Sequence, residues 1–487
     1  MYLGIDLGTS GVKLLLLTKE GKVIKTVTKG YELLIPNPGW TEQDPNAWFE
    51  ATINGLSEIV LGHEEKIKAI SFSGQMHGMV LLDHNDNIIR NAILWNDQRT
   101  VKEVDYLNNV IGKDKLIEET GNIAVTGLTA PKIMWVKNNE PENFKAISKI
   151  MLPKDYLAFK LSNVFASDYS DSSGTLYLDV KNKKYSNFML DVLDIKTSNL
   201  PKLYESYEVI GYLKEDIRNL LKIKQKVKII IGGSDQSVGA IGVGIVDEGL
   251  SNISLGTSGV VFTAMNDFKD DKETNMQVYA HGNNNFHIMG VMLNASGSLK
   301  WWTEGIFKDK DYDKYFENIK DLNIKDNLYF LPYLSGERAP INNPEARGMF
   351  TGLRIEHKKP HLDLAVVEGI SFNLKMIYEN IENKGIKINS SRVTGGGAKS
   401  EIWVQMLSNI FNMKLETIEI EEGPALGAAI LAMVGDGAYK DLSTACEQII
   451  RVKKVFKPDN EVALIYEEKY TNYKKIYPAI KEVFKIH

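Results

Sequence analysis

The hexapeptide LGTSGV occurs twice in this chain, at Leu7–Val12 and at Leu255–Val260, 248 residues apart. In a sequence of 487 residues that offset is close to half the length, so the simplest arrangement is two halves of similar architecture that open with the same turn. The flanks agree: YLGID precedes the first copy and KLLLL follows it, while LSNIS and VVFTA bracket the second. Each copy therefore reads as a β-hairpin joining two short apolar strands. Its Gly-Thr-Ser-Gly tip offers glycines able to take positive φ, exposed backbone N–H groups and two hydroxyls, a set that suits phosphate oxygens. One copy alone would read as a tight turn; two copies half a chain apart favour a paired phosphate-binding role.

Two commoner nucleotide signatures are excluded. GTSG lacks the G-x-G-x-x-G spacing and opens a strand, so the dinucleotide fingerprint fails. VTGGGAKS has Val393 and Ala398 where a P-loop needs glycines. Elsewhere strand-like runs such as IKAISFSG and VKIIIGGSD alternate with amphipathic stretches such as EIWVQMLSNIF, the pattern of an α/β protein. Glycines in GVGIVDEG place a boundary near 242–249. The expected domains are residues 1–244 and 245–487.

Composition narrows the class. Apolar residues at 43% and charged residues at 25% describe a folded globular chain. Lys and Arg number 58 against 63 Asp and Glu, which gives no field to gather nucleic acid or anionic lipid. The single cysteine, Cys446, allows no internal disulfide and fits a reducing compartment. No run reaches the roughly 18–20 apolar residues of a membrane helix, and the start lacks a basic leader, so a cytoplasmic protein is expected.

Three segments put polar groups at the ends of apolar runs, where α/β proteins hold ligands. Ser73-Gly74-Gln75-Met76-His77-Gly78 follows IKAISF; its His reads either as a structural hydrogen-bonder or as a ligand contact. Gly232-Gly233-Ser234-Asp235-Gln236 ends VKIII, and Asp235 reads as a helix N-cap, a general base, or both. Thr394-Gly395-Gly396-Gly397-Ala398 lies between a strand and a helix. It reads as an ordinary turn or as a flat seat for adenine or ribose. Asp6, two residues before Gly8, could reach a Mg²⁺ ion near a phosphate. Tyr466, Tyr470, Tyr473 and Tyr477 form a helical packing stripe, and PALGAAILAMVG a buried close-packed helix. Trp301-Trp302 lines a core or a cleft.

Together the doubled LGTSGV, QMHG, LWNDQRT, LPKDYL, SDYSDSSGT, GGSDQ, LPYLSGERAP and VTGGGAKSEIW resemble the FGGY family of carbohydrate kinases. Both family signature stretches are present, at Gly127–Asn139 and Gly348–Glu368. The resemblance implies a duplicated, two-domain actin/hexokinase-like (ribonuclease H-like) α/β fold, with ATP, Mg²⁺ and a sugar in an interdomain cleft. It implies phosphorylation of D-xylulose, with no nucleic-acid or membrane partner, and allows a homodimer. By matching position, Asp235 is the catalytic base, and Met76, His77 and Gln236 join it in binding the ketose. Gly8, Thr9, Ser10 and Lys13 form the first phosphate loop, and Gly256, Thr257 and Ser258 the second. Gly396, Gly397 and Ala398 face the adenosine; Asp6 is tied to Mg²⁺ and activity, with Asp235 as the other metal-facing carboxylate.

Two departures bear on the sugar. Family members that act on xylulose often have Asn where Gln236 stands, Gln being the glycerol kinase choice, and Ile341 replaces a common His. Ribulose, gluconate and glycerol are therefore alternative acceptors. A nucleotide-operated module of the actin and chaperone kind is the more distant alternative; it would need a peptide-binding or polymerising segment, and would leave Asp235 without a proton to take.

Overall fold

The computed structural model describes every residue except Glu273, Asn275, Glu421 and His487, and the side chain of Ile486. The chain forms two compact units that do not divide at a single point. The first gathers Met1–Val246, Val278–His287 and Glu422–Ile450, the second Asp247–Gln277, Ile288–Glu421 and Arg451–His487.

In the first unit β1 (Tyr2–Leu7), β2 (Gly11–Leu17), β3 (Val23–Gly30), β4 (Ala69–Gly74), β5 (Val209–Tyr212) and β6 (Lys228–Ile230) form a mixed sheet in the order β5-β6-β4-β1-β2-β3. A short β7 (Gly233–Ser234) continues the parallel pairing along β4. Strand β1 is antiparallel to β2 and parallel to β4; β4 is parallel to β6, and β5 closes antiparallel to β6. Leu3, Ile5, Leu14, Leu16, Ile70, Phe72 and Ile229 are fully buried in its core. Helix α1 (Pro45–Ile59) starts where the Asp44 side chain accepts the Asn46 N–H and Pro45 supplies the fixed φ of a first turn; it buries Trp48, Leu56 and Ile59.

In the second unit β8 (Leu250–Leu255), β9 (Gly259–Met265), β10 (Ser390–Thr394), β11 (Leu415–Ile418) and β12 (Val452–Phe456) run in the order β12-β11-β10-β8-β9. The directions repeat: β8 is antiparallel to β9 and parallel to β10, β10 is parallel to β11, and β12 closes antiparallel. The duplication suggested by the hexapeptide is thus a duplication of sheet topology.

The two LGTSGV copies are both hairpins, in different registers. Leu7 opposes Val12, with four residues between them, whereas Leu255 opposes Gly259, with three. None of Gly8, Gly11, Gly256 and Gly259 takes a left-handed φ, so the expectation of positive φ at the tips is not met. At Gly11 and Gly259 the lack of a Cβ serves close packing instead, against the Lys29 carbonyl in the first hairpin and the Met292 and Leu374 side chains in the second.

Helix α2 (Asp235–Gly242) and helix α5 (Gly423–Asp436) belong to the first unit, with α3 (Lys359–Glu382), α4 (Glu401–Phe411) and α6 (Asn460–Ile480) in the second. The apolar PALGAAILAMVG stretch is α5, buried as expected, and it packs against α2, β1 and β4 although it follows the second repeat in sequence. A Cβ on Gly427 would lie 1.8 Å from the Val238 carbonyl oxygen, so small residues set the α2–α5 distance. The tyrosine stripe on α6 is core packing: Tyr466, Tyr470 and Tyr473 are buried, and Tyr477 O–H accepts from Asn343 at 3.0 Å. Trp302 is buried with its indole N–H donating to Asp363 at 2.7 Å, while Trp301 is half-exposed. Among the described residues no helix is long and apolar enough to cross a membrane.

Candidate active site

Parallel register gathers the first unit's candidate residues. Across β1, β4 and β7, Leu7 stands opposite Gly74 and Gly74 opposite Ser234. The next residues along each chain segment are Gly8, Gln75 and Asp235, so the first LGTSGV turn, the QMHG segment and the proposed base leave the sheet at one end. That end is the carboxyl end of the strands, where open α/β sheets bind ligands.

Asp235 is the first residue of α2, but the cap is Ser234, whose hydroxyl accepts the Ser237 N–H at 3.3 Å. The capping alternative for Asp235 is thereby removed, and its carboxylate is left for other work. One oxygen, Oδ1, is buried with no hydrogen-bond partner. Burial, then the charge of Asp6, push the Asp235 carboxyl up to about 7, while the backbone and side chain of Gln236 hold it down in part. A carboxylate titrating near neutrality is well matched to accept a hydroxyl proton.

The turn into α2 is fixed from beneath. Gly232 has φ 74°, and a Cβ there would meet the Phe72 carbonyl oxygen at 1.9 Å. The Ser234 N–H donates to Ser170 Oγ at 3.1 Å, and Ser170 and Ser206 hydroxyls donate to Asp168 at 2.6 and 2.8 Å. Asp168 is in turn paired with buried Lys154 at 2.8 Å. SDYSDSSGT and LPKDYL therefore supply the scaffold beneath Asp235.

His77 has φ 67°, unusual for a side chain with a Cβ. Its carbonyl accepts from Lys132 Nζ at 2.9 Å and Thr129 Oγ1 at 3.1 Å, which hold the strained backbone. Its Nδ1 lies 2.8 Å from the Gly174 carbonyl. A carbonyl only accepts, so Nδ1 carries a proton in this contact. A Cβ on Gly174 would stand 2.4 Å from His77 Cε1 and 2.9 Å from Met76 Cε, so glycine there admits both side chains. Met76 is buried and His77 partly exposed.

In the first LGTSGV turn the Gly8 N–H donates to the Gly11 carbonyl at 3.0 Å and the Gly8 carbonyl accepts from Tyr31 O–H. The Gly8 amide is therefore used within the turn, contrary to the expectation of an exposed N–H there; Ser10 is exposed at the tip. Lys13 stands opposite Asp6 in the hairpin and forms an ion pair with Glu422. Burial raises the Asp6 carboxyl, an effect opposed by Ser73 and Lys13.

In the second unit Ser254 opposes Thr394, so the turn of Gly256, Thr257 and Ser258 and the segment of Gly396, Gly397 and Ala398 also leave adjacent parallel strands together. Gly395 takes φ 84°, and a Cβ there would meet Leu255 C at 2.8 Å, seating the glycine run directly on the turn. Gly396 is exposed, with open space where a Cβ would stand, and Ala398 is buried.

Among the described residues no group of three or more His, Cys, Asp or Glu side chains forms a metal cage. Asp6 and the unpartnered oxygen of Asp235 are hard donors that fit a Mg²⁺ ion which keeps water and phosphate oxygens as its other ligands.

Sequence reasoning did not assign roles to Gly174, Thr129, Lys132, Ser170, Asp168 or Lys154. Each stands within a motif quoted above or in the signature stretch Gly127–Asn139, but its function depends on contacts across long sequence separations.

Comparison with known proteins agrees with this architecture. The chain matches the N-terminal domain of the FGGY family of carbohydrate kinases over residues 1–242 and its C-terminal domain over 251–435. The xylulose kinase of Bacillus subtilis is 37% identical over 486 residues, 99% of this chain and 97% of that protein. A ligand-bound xylulose kinase from Lactobacillus acidophilus superposes with a TM-score of 0.94 at 31% identity, covering 99% of both chains. A gluconate kinase from the same species gives 0.93 at 31% identity, covering 98% of this chain and 97% of that one. With domain matches covering most of its length and near-full-length relatives above 30% identity, this chain belongs to the FGGY family of carbohydrate kinases, ATP-dependent enzymes that phosphorylate sugars.

Proposed function

We propose that this kinase transfers the γ-phosphoryl group of ATP to the 5-hydroxyl of D-xylulose in the cytoplasm, as a step of pentose breakdown. The observation that carries the reading is the shared strand-end position of the Met76–His77 segment, Asp235 and the first phosphate turn. The similarity to xylulose kinases supports the choice of sugar. Residues 1–244 are read as the domain of the sugar and first phosphate loop, and 245–487 as that of the second loop and the adenosine segment.

In this mechanism Met76, His77 and Gln236 orient the ketose. Asp235 accepts the hydroxyl proton as that oxygen bonds to the γ-phosphorus, the bond to the β,γ-bridging oxygen breaks, and ADP departs. Thr9, Ser10 and Lys13 with Thr257 and Ser258 hold the phosphates, and Gly396, Gly397 and Ala398 receive the adenosine. Mg²⁺ held by Asp6 and Asp235 would offset charge on the transferred group. Lys13 would exchange its Glu422 partner for phosphate.

Gluconate is the second reading, favoured by the equally close fold of a gluconate kinase. ADP release measured across a panel of ketoses, polyols and sugar acids separates the two. The expected result is a kcat/KM for D-xylulose at least about tenfold above every other acceptor, a difference of about 1.4 kcal/mol in transition-state binding. A higher value for gluconate, ribulose or glycerol would overturn the choice of sugar.

A further inference from the structure

A ring of buried side chains joins the first phosphate turn to the segment that carries Met76 and His77. Gln75 is 2% exposed, Gln43 1% and Trp48 0%, so bulk water does not replace a lost partner. The amide orientations follow from chemistry: the Trp48 indole N–H only donates, so the Gln43 atom 3.0 Å away is Oε1. The same oxygen accepts from Gln75 Nε2 at 3.1 Å. Gln75 Oε1 is then the acceptor for the Thr9 hydroxyl at 3.3 Å. Gln43 Nε2 donates to the Thr9 carbonyl at 2.7 Å, and the Trp95 indole N–H donates to Thr9 Oγ1 at 3.0 Å. Thr9 is clamped at both hydroxyl and carbonyl by two amides bonded to one another. The Gln75 backbone N–H donates to the carbonyl of Leu7, the last residue of β1, at 2.8 Å.

We propose that Gln75 is a positioning residue that couples the sugar segment to the first phosphate turn, so that ketose and ATP each strengthen the binding of the other. This rests on the reading above that Met76 and His77 take the ketose and the turn takes phosphate. Gln75 adjoins Met76 in the chain, so a ketose seated on Met76 and His77 orders the backbone from which the Gln75 amide projects. That order passes through Gln43 and Thr9 to the turn, and the nucleotide meets a turn with less freedom left to lose. By linkage the effect is reciprocal. Tertiary packing alone would stabilise the fold without making one ligand's affinity depend on the other.

The test is calorimetric titration of D-xylulose with and without a saturating non-hydrolysable ATP analogue and Mg²⁺, in the unaltered protein, Gln75→Met and Trp95→Phe. In the unaltered protein the analogue should tighten ketose binding by a factor within the usual coupling range, about 5–150. Gln75→Met should bring that factor to within about twofold of one, and Trp95→Phe should reduce it several-fold. Trp95 is 43% exposed, so its replacement leaves the fold intact and decides the matter if Gln75→Met does not fold. A factor of one in the unaltered protein, or its native value in the variants that fold, would overturn the proposal. Failure of either ligand to bind the unaltered protein would instead remove the kinase reading, and the coupling with it.

Discussion

Two copies of one hexapeptide make different turns, and the difference lies outside the hexapeptide. The opening strands keep the same phase: Leu7 and Leu255 are buried, Asp6 and Ser254 partly exposed. The return strands are slipped by one residue, so Val12 is fully buried while its counterpart Val260 is not. Lys13 follows the first copy and must keep its ammonium near solvent, which turns Val12 inward. Val261 follows the second and is buried, which turns Val260 outward. Because side chains alternate along a strand, one residue's polarity sets the register of the whole return strand.

The supports differ too. The first turn is held by side chains, Tyr31 on the Gly8 carbonyl and Gln43 and Gln75 on Thr9. The second is held by backbone: Ala295 and Gly297 N–H groups donate to the Thr257 carbonyl at 2.9 and 3.0 Å, and Ser296 N–H to the Gly256 carbonyl at 2.9 Å. Under the proposed coupling, side-chain support leaves the first turn open to influence from the segment that carries Met76 and His77. Backbone support fixes the second in place.

The largest expected contrast lies under the hairpins. A Cβ on Gly4 would sit 2.0 Å from the Ala425 carbonyl oxygen of α5, whereas the matching Asn252 is partly exposed and accepts from Thr394 Oγ1 at 3.1 Å. Gly4→Ala should cost about 3 kcal/mol or more and Asn252→Ala about 1 kcal/mol in chemical denaturation. Equal losses would break the contrast. A smaller difference is expected at the tips. A Cβ on Gly11 meets the backbone Lys29 carbonyl oxygen at 2.7 Å, and one on Gly259 meets the side chains of Met292 and Leu374 at 2.7 and 2.9 Å. Side chains give way more readily than a paired strand, so Gly11→Ala should be the costlier by about 1 kcal/mol in the same measurement.

The pH dependence of stability should carry opposite signs at two buried groups, one in each unit. In the first, burial lowers His281 to about 4 from an ordinary value of 6.5, so its stabilising neutral form is lost as pH falls from about 6.5 to 4. In the second, burial raises Glu337 to about 8 from 4.5, so its contribution is full below about 4.5 and lost as pH rises to about 8. Melting temperatures of His281→Asn and Glu337→Gln against pH should flatten the acid and the alkaline arm respectively. An unchanged arm in either variant would contradict the assignment.

How much of this was legible in the sequence follows from how local each signal is. The hairpins, the α/β class and the duplication were readable because they rest on short apolar runs and one repeated turn. So were the strand-end positions of Asp235 and the QMHG segment. The register slip was written in Lys13 and Val261, but reading it required knowing which strand face is buried. The cap at Ser234 in place of Asp235 turns on a one-residue choice between adjacent capping types. The association of α5 with the first unit, the Asp168–Lys154 support and the Gln43–Gln75 ring join residues from 14 to hundreds of positions apart, and no local pattern announces them.

The central claim is that Asp235, at the strand end beside the sugar segment, takes the proton of the attacking hydroxyl. Turnover and D-xylulose affinity of Asp235→Asn test it most directly. Turnover should fall by a factor on the order of 10²–10⁴, with the dissociation constant for D-xylulose within about threefold of the native value. Near-native turnover in a folded Asp235→Asn protein would contradict it.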